Sequence, residues 1–118
     1  MLNRIRILAL RYKKLKYMGL LDLFGFGKRK EKLRDAMSRG AVIIDVRTSG
    51  EFASGHIKGS QNIPLDKING QVERIKKMNK PVVVCCASGM RSGSAKSILS
   101  NKGIECYNGG GWHSLNSL

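Results

Sequence analysis

A chain of 118 residues suffices for one compact domain and is too short for two ordinary ones. Its 42% hydrophobic and 25% charged residues exclude the disordered and membrane-spanning classes. The 22 Lys and Arg against 8 Asp and Glu give a net charge of +14, and more than half of that excess lies in residues 1–30, where Asp22 is the single acid.

Those 30 residues read as a basic arm. Leu2, Ile5, Leu8, Tyr12 and Leu15 recur at near-helical spacing, with Arg4, Arg11, Lys14 and Lys16 between them. The expectation is either an amphipathic segment in weak contact with an anionic membrane surface, or a disordered leader with Met18 as an alternative start of translation. Ile7-Leu8-Ala9-Leu10 is too short an apolar core for a secretory signal. The longest apolar run, residues 18–27, contains Asp22 and reaches about half the length of a spanning helix. No nucleic-acid reading motif accompanies the charge, so only salt-sensitive, non-specific binding follows, with no specific nucleic-acid partner. Gly25-Phe26-Gly27-Lys28 lacks the Lys-Ser/Thr ending of a phosphate loop.

From residue 31 the pattern becomes regular. Residues 31–39 predict a helix with Leu33, Ala36 and Met37 inward, stopped by Gly40. Residues 41–46 form an apolar run of strand length, as in a strand covered on both faces. Thr48 or Ser49 caps a short helix that Gly55 ends. A brief extended segment follows within residues 57–64, then a predicted helix over 65–78 with Ile68, Val72 and Ile75 inward. Residues 81–86 form the second buried strand, residues 92–101 a helix stopped by Gly103, and residues 104–107 a third strand. Gly109-Gly110-Gly111 and a short final turn with Trp112 and Leu115 close the chain. Strands alternating with helices predict a small α/β fold with a mostly parallel central sheet, whose ligands bind beyond the carboxyl ends of the strands.

Three cysteines are present, Cys85, Cys86 and Cys106. Adjacent strand residues point to opposite faces, so a Cys85–Cys86 disulfide is geometrically poor. Without a CxxC pair, and with only His56 and His113, a structural zinc site is not expected, and neither is any other metal or cofactor. Free thiols point to a reducing, cytoplasmic location.

Cys86-Ala87-Ser88-Gly89-Met90-Arg91-Ser92 sets a thiol at a strand end, a glycine in mid-loop and an arginine before a helix. A tight loop closing onto a helix N-terminus turns backbone N–H groups inward and makes a concavity for negative charge. The same dipole and Arg91 favour thiolate over thiol, which yields a nucleophile.

At this point the chain resembles the single-domain rhodanese family of thiosulfate sulfurtransferase-like proteins. The resemblance rests on three blocks over residues 31–116. The first is Asp45-Val46-Arg47 with Glu51-Phe52, Gly55-His56-Ile57, Gly59 and Asn62-Ile63-Pro64. The second is the Cys86 to Ser92 loop; the third is Tyr107-Asn108 with Gly110-Gly111-Trp112. It implies a three-layer α/β/α rhodanese-like domain over residues 31–118, behind the arm of residues 1–30. It also implies a sulfurtransferase in which Cys86 accepts sulfane sulfur as a persulfide and passes it to a nucleophilic acceptor. Thiosulfate or a thiol persulfide would be the donor; cyanide, a thiol or a partner protein would be the acceptor. The amides of Ala87, Ser88, Gly89, Met90 and Arg91 would cradle the persulfide, with Arg91 also binding donor charge. Asp45 and Arg47 would support the loop and sheet.

Two other readings stand beside this one. Counted from Cys85, the string also reads Cys-x5-Arg-Ser, the form of a cysteine-dependent phosphatase or arsenate reductase. A rhodanese fold can also serve as a non-catalytic interaction or membrane-surface module. Among the remaining residues, His56 reads as a hydrogen-bonded structural histidine and His113 as a surface residue. Cys106 reads as a small buried hydrophobe with a minor candidacy as resolving thiol, and Trp112 as a core plug. Arg74, Lys76, Lys77 and Lys80 read as a solvated face able to steer anionic or acidic partners.

Overall fold

The computed structural model describes residues 26–118, so the membrane-surface, disordered-leader and Met18-start expectations for residues 1–25 lie outside the described residues. Helix α1 (Phe26–Ser38) begins five residues before the expected start. It buries Leu33 and Ala36, whereas Met37 is 37% exposed, contrary to its predicted inward place. Met37 sits about 100° around the helix from Ala36, at the margin of the buried stripe.

Strand β1 (Val42–Asp45) leads through Thr48 into α2 (Ser49–Ser54). The Thr48 hydroxyl accepts the Glu51 amide and the Glu51 carboxylate accepts the Thr48 amide, a reciprocal capping box. After β2 (Gln61–Asn62), the single helix predicted over 65–78 divides into a 3-10 helix (Leu65–Gln71) and α3 (Val72–Lys77). Asn69 and Gly70 are weak helix formers just before the break, yet Ile68, Val72 and Ile75 all reach the core. Strand β3 (Val82–Cys86) is buried along its whole length and passes into α4 (Met90–Asn101).

The sheet runs β2-β1-β3-β4 and is parallel at every pairing. Alternation along β3 splits the core in two. Val82, Val84 and Cys86 join Ile44, Val46, Ile68 and Leu99, while Val83 and Cys85 join Leu33, Ile43, Ile57 and Leu115. Apolar residues on both faces explain why the strands read as continuous runs.

The last strand departs most from expectation. Predicted over 104–107, β4 spans Cys106–Gly111 and takes in the three glycines placed after it by the sequence. Val84 pairs with Asn108 and Cys85 with Gly110, so Gly109 is the extra residue of a bulge. A Cβ at Gly109 would lie 2.8 Å from Leu115 Cδ2, 2.9 Å from Val83 Cγ1 and 3.0 Å from the Val84 carbonyl oxygen. A strand this close to its neighbours requires glycine, which is why low strand propensity misleads there. Helix α5 (Trp112–Asn116) follows at once.

Candidate active site

Cys86 ends β3, and the chain reaches α4 through Gly89, whose φ of 103° lies in the left-handed region. That geometry turns the Gly89 amide onto the cysteine, donating to Sγ at 2.9 Å. Ser92, one turn into α4 and fully buried, sets its Oγ 3.3 Å from the same sulfur. Burial pushes the Cys86 thiol up, but the Ser92 hydroxyl and the amides of Ser92, Gly89 and Ser88 outweigh it, so its pKa falls below the ordinary thiol value. These neutral donors favour the thiolate over the thiol.

Cys85 has the opposite fate. It is fully buried between the sheet and α1's side of the core, and desolvation, with Asp45 nearby, pushes its thiol up to about 12. The Cys85 phosphatase register is therefore overturned: its sulfur neither faces the loop nor ionises near neutrality. Cys106 pairs with Val82, at the far end of β3 from Cys86. Four strand residues span about 13 Å. Cys106 is also buried with its thiol raised to about 12 by desolvation, so the resolving-thiol candidacy falls.

Of the other loop residues, Ala87 and Ser88 are exposed, and the Met90 side chain is 83% exposed beside the loop. The Arg91 side chain is 37% exposed and already paired. Its guanidinium takes Glu51 in a two-point pair, NH1 to Oε1 at 2.6 Å and NH2 to Oε2 at 2.9 Å. Arg91, with Thr48 beside it, holds the Glu51 carboxyl down at about 2. One carboxylate thus closes the cap of α2 and ties α2 to the first turn of α4.

Beneath this layer Asp45 and Arg47 form a buried pair, 0% and 6% exposed in their side chains. Arg47 Nε donates to both Asp45 carboxylate oxygens at 3.0 Å and its NH2 to Oδ2 at 2.7 Å. The guanidinium also donates to the carbonyls of Glu51 and Gly55 and lies 4.8 Å from the Trp112 ring centroid. Asn62 donates to the carbonyls of Asp45 and Arg47, fixing the edge strand to the same corner. Trp112 packs against the core cluster and carries this guanidinium. His56 donates through Nδ1 to the Phe52 carbonyl at 2.8 Å and stacks on Phe52, a structural place. His113 is exposed and lies against Trp112.

Three residues gained no role from sequence reasoning. Ser92 meets the reactive sulfur, Glu51 occupies Arg91, and Asn108 joins the bulge of β4 to the loop. Asn108 Oδ1 accepts from the Ser92 hydroxyl at 2.7 Å and the Gly110 amide at 2.9 Å, and its Nδ2 donates to the Gly89 carbonyl at 3.2 Å. Thr48-x-x-Glu51 was readable as a capping box, and Ser92 lies within the loop string, but the partners of Glu51 and Asn108 are 40 and 16 residues away.

Comparison with known proteins bears on the fold. A family model described as Rhodanese-like domain matches residues 29–117. The protein named YqhL of Bacillus subtilis is 42% identical over 71 residues, covering 59% of this chain and 56% of the relative. Thiosulfate sulfurtransferase PspE of Escherichia coli is 37% identical over 70 residues, covering 58% and 67%. The crystal structure of a rhodanese-like domain protein from Staphylococcus aureus superposes with a TM-score of 0.61 at 32% identity, over 72% of this chain and 85% of that one. The chain spans less than two thirds of the first curated relatives' own length, 56% of the Bacillus subtilis protein among them.

Proposed function

The chain belongs to the rhodanese-like domain family, and on that premise we propose that it is a sulfurtransferase working through a persulfide on Cys86. The observation that carries the reading is the Cys86 sulfur with the Gly89 amide 2.9 Å away and its thiol pKa lowered within a loop of amides. The Cys86 thiolate attacks the outer sulfur of the donor. A sulfur–sulfur bond forms, and the bond from that sulfur to the donor's remainder breaks. Thiosulfate leaves sulfite with the electron pair; a thiol persulfide leaves a thiolate. An acceptor thiol, cyanide or protein thiolate then attacks the outer sulfur and Cys86 departs as thiolate. The turned-in amides stabilise charge on the outer sulfur, so the chemistry calls for no metal or organic cofactor.

The Arg91–Glu51 pair bears on the donor. With Arg91 already neutralised, a dianion such as thiosulfate meets backbone dipoles rather than a bare cation, which favours the less charged thiol persulfides. A reducing compartment, the cytoplasm, suits three unpaired thiols. Among the described residues no helix is long and apolar enough to cross a membrane.

The test is intact mass measurement after incubation with thiosulfate or glutathione persulfide, on wild type, Cys85→Ser and Cys86→Ser. One added sulfur atom in wild type and Cys85→Ser, absent in Cys86→Ser, is the expected result. No loading of Cys86 by either donor overturns the reading and leaves an interaction module of rhodanese fold.

A further inference from the structure

Behind the reactive sulfur runs a chain of polar atoms: Cys86 Sγ, Ser92 Oγ at 3.3 Å, and Asn108 Oδ1 2.7 Å further on. The Asn108 amide has one orientation that its neighbours accept. Its oxygen must face the Gly110 N–H and its nitrogen the Gly89 carbonyl; flipped, it would set donor against donor and acceptor against acceptor. Oδ1 is therefore an acceptor, and it takes the Ser92 hydroxyl hydrogen. A hydroxyl has one hydrogen to give. While that hydrogen points to Asn108, Ser92 shows Cys86 only lone pairs, and the thiol is the donor, S–H to Oγ. Once the thiol loses its proton to solvent, lone pairs would face a thiolate, and the hydroxyl gains by turning its hydrogen to sulfur.

We propose that the Ser92 hydroxyl is a two-position hydrogen switch, directed to Asn108 Oδ1 when Cys86 is a thiol or carries an outer sulfur and to Cys86 Sγ when it is a thiolate, with Asn108 as the positioning residue that sets the balance. The inference rests on Cys86 being the sulfur-carrying nucleophile. No covalent bond of Ser92 or Asn108 changes: ionisation sends the thiol proton to solvent, and the hydroxyl only rotates. In the persulfide the inner sulfur is bonded on both sides and carries little charge, so the hydrogen returns to Asn108. Throughout, Asn108 Nδ2 holds the Gly89 carbonyl, which keeps the Gly89 amide aimed at the sulfur.

The charged and titratable groups coupled to Cys86 are Arg91 from α4 and Cys85 beside it on β3. Asp45 at the end of β1 and Arg47 just beyond it act on Cys85, and β4 sets the uncharged Gly111 opposite Cys86. The hydroxyl of Ser92 is foremost among the donors that draw the Cys86 thiol down against its burial.

The test is the pH profile of Cys86 alkylation by iodoacetamide in the full chain, read at that residue by tandem mass spectrometry. Ser92→Ala removes the donor to the thiolate, and the midpoint rises by about one pH unit, a tenfold loss of thiolate below it. Asn108→Ala takes the acceptor away from the thiol state, so the midpoint falls, with about threefold more thiolate. With Ser92→Ala also present that fall is lost, and the loosened Gly89 amide alone moves the midpoint upward. Asn108→Asp holds the hydrogen more tightly and adds like charge, and the midpoint rises. A merely structural Asn108 raises the midpoint equally with and without Ser92, because a loosened Gly89 amide stabilises thiolate less. An Asn108→Ala shift that is the same in the presence and in the absence of Ser92 overturns the switch. If Asn108→Ala does not fold, Asn108→Asp decides alone, and an unchanged or lowered midpoint overturns the proposal. Alkylation needs no sulfur donor, so this result and failure of sulfur loading are separate outcomes.

Discussion

Each end of the parallel sheet holds a buried thiol, Cys86 at one and Cys106 at the other, and these two behave in opposite ways. Cys86, at the carboxyl end, is 1% exposed and its pKa lies below the ordinary thiol value; Cys106, at the amino end, is 6% exposed and raised to about 12. Exposure is nearly the same, so the opposed shifts come from what surrounds each sulfur, deeper packing at Cys106 and hydrogen-bond donors at Cys86. Around Cys86 stand the Ser92 hydroxyl and amides turned inward by Gly89, whereas Cys106 sits among aliphatic side chains. The amino end keeps its charges outside instead: Arg39 pairs with Asp35 and Glu105 at the surface, and Glu105 also accepts from Tyr107. At the carboxyl end the charges are folded inward, with Asp45 and Arg47 buried beneath the loop.

If that inward pair holds the carboxyl end together, breaking it has the largest effect. Asp45→Asn leaves the Arg47 guanidinium buried without its counter-charge, and the expected loss is about 3–5 kcal/mol of folding stability, read from the denaturant midpoint. A change within the range of an exposed pair would erase the distinction between the ends.

Gly109→Ala tests the bulge that brings β4 to the loop. The added methyl meets Leu115, Val83 and the Val84 carbonyl within about 3 Å. Overpacking of this kind costs about 1–3 kcal/mol, visible as a lower thermal midpoint. A neutral result would mean that the strand can move aside without loss.

The contrast between thiols also has a pH signature. Cys85 and Cys106 are raised from 9.0 to about 12, so above pH 9 the folded chain holds protons that the unfolded chain releases. Stability conferred by these groups is complete below pH 9 and is lost as pH rises towards 12, at a slope of at most about 1.4 kcal/mol per pH unit per thiol. Cys106→Ala should flatten the alkaline limb of a stability–pH curve; an unaltered limb would remove Cys106 from the cause. Cys86 runs the other way: its thiolate is favoured by the fold, so alkylation falls as pH drops through its lowered pKa.

The smallest effect is expected at the rim. Glu51→Gln keeps a side chain able to complete the cap of α2 while releasing the charge of Arg91. The KM for thiosulfate should fall by about two- to fivefold, as for an exposed ion pair, with thiol persulfide donors little affected. Equal changes for both donors would show that Arg91 does not discriminate by charge.

Much of this was legible in the chain itself. Apolar runs at 41–46 and 81–86 marked strands covered on both faces, Thr48 or Ser49 marked the start of α2, and a thiol, a glycine and an arginine between strand and helix marked the loop. These are local signals, written in neighbours a few positions apart. The break at Gln71 and the burial of Gly109 were not legible, because low propensity reads as loop until packing against Val83 and Leu115 supplies the reason for glycine.

The sequence by itself determined the alternation of strands and helices, the place of the loop and the opposed faces of Cys85 and Cys86, since each depends only on the period of a strand or the chemistry of a turn. Only the tertiary structure decided that Glu51 occupies Arg91, that Asn108 reaches Ser92, and that Cys106 lies a strand's length from Cys86. Those outcomes depend on the register of parallel strands, and a register is an agreement between segments that are distant in the chain.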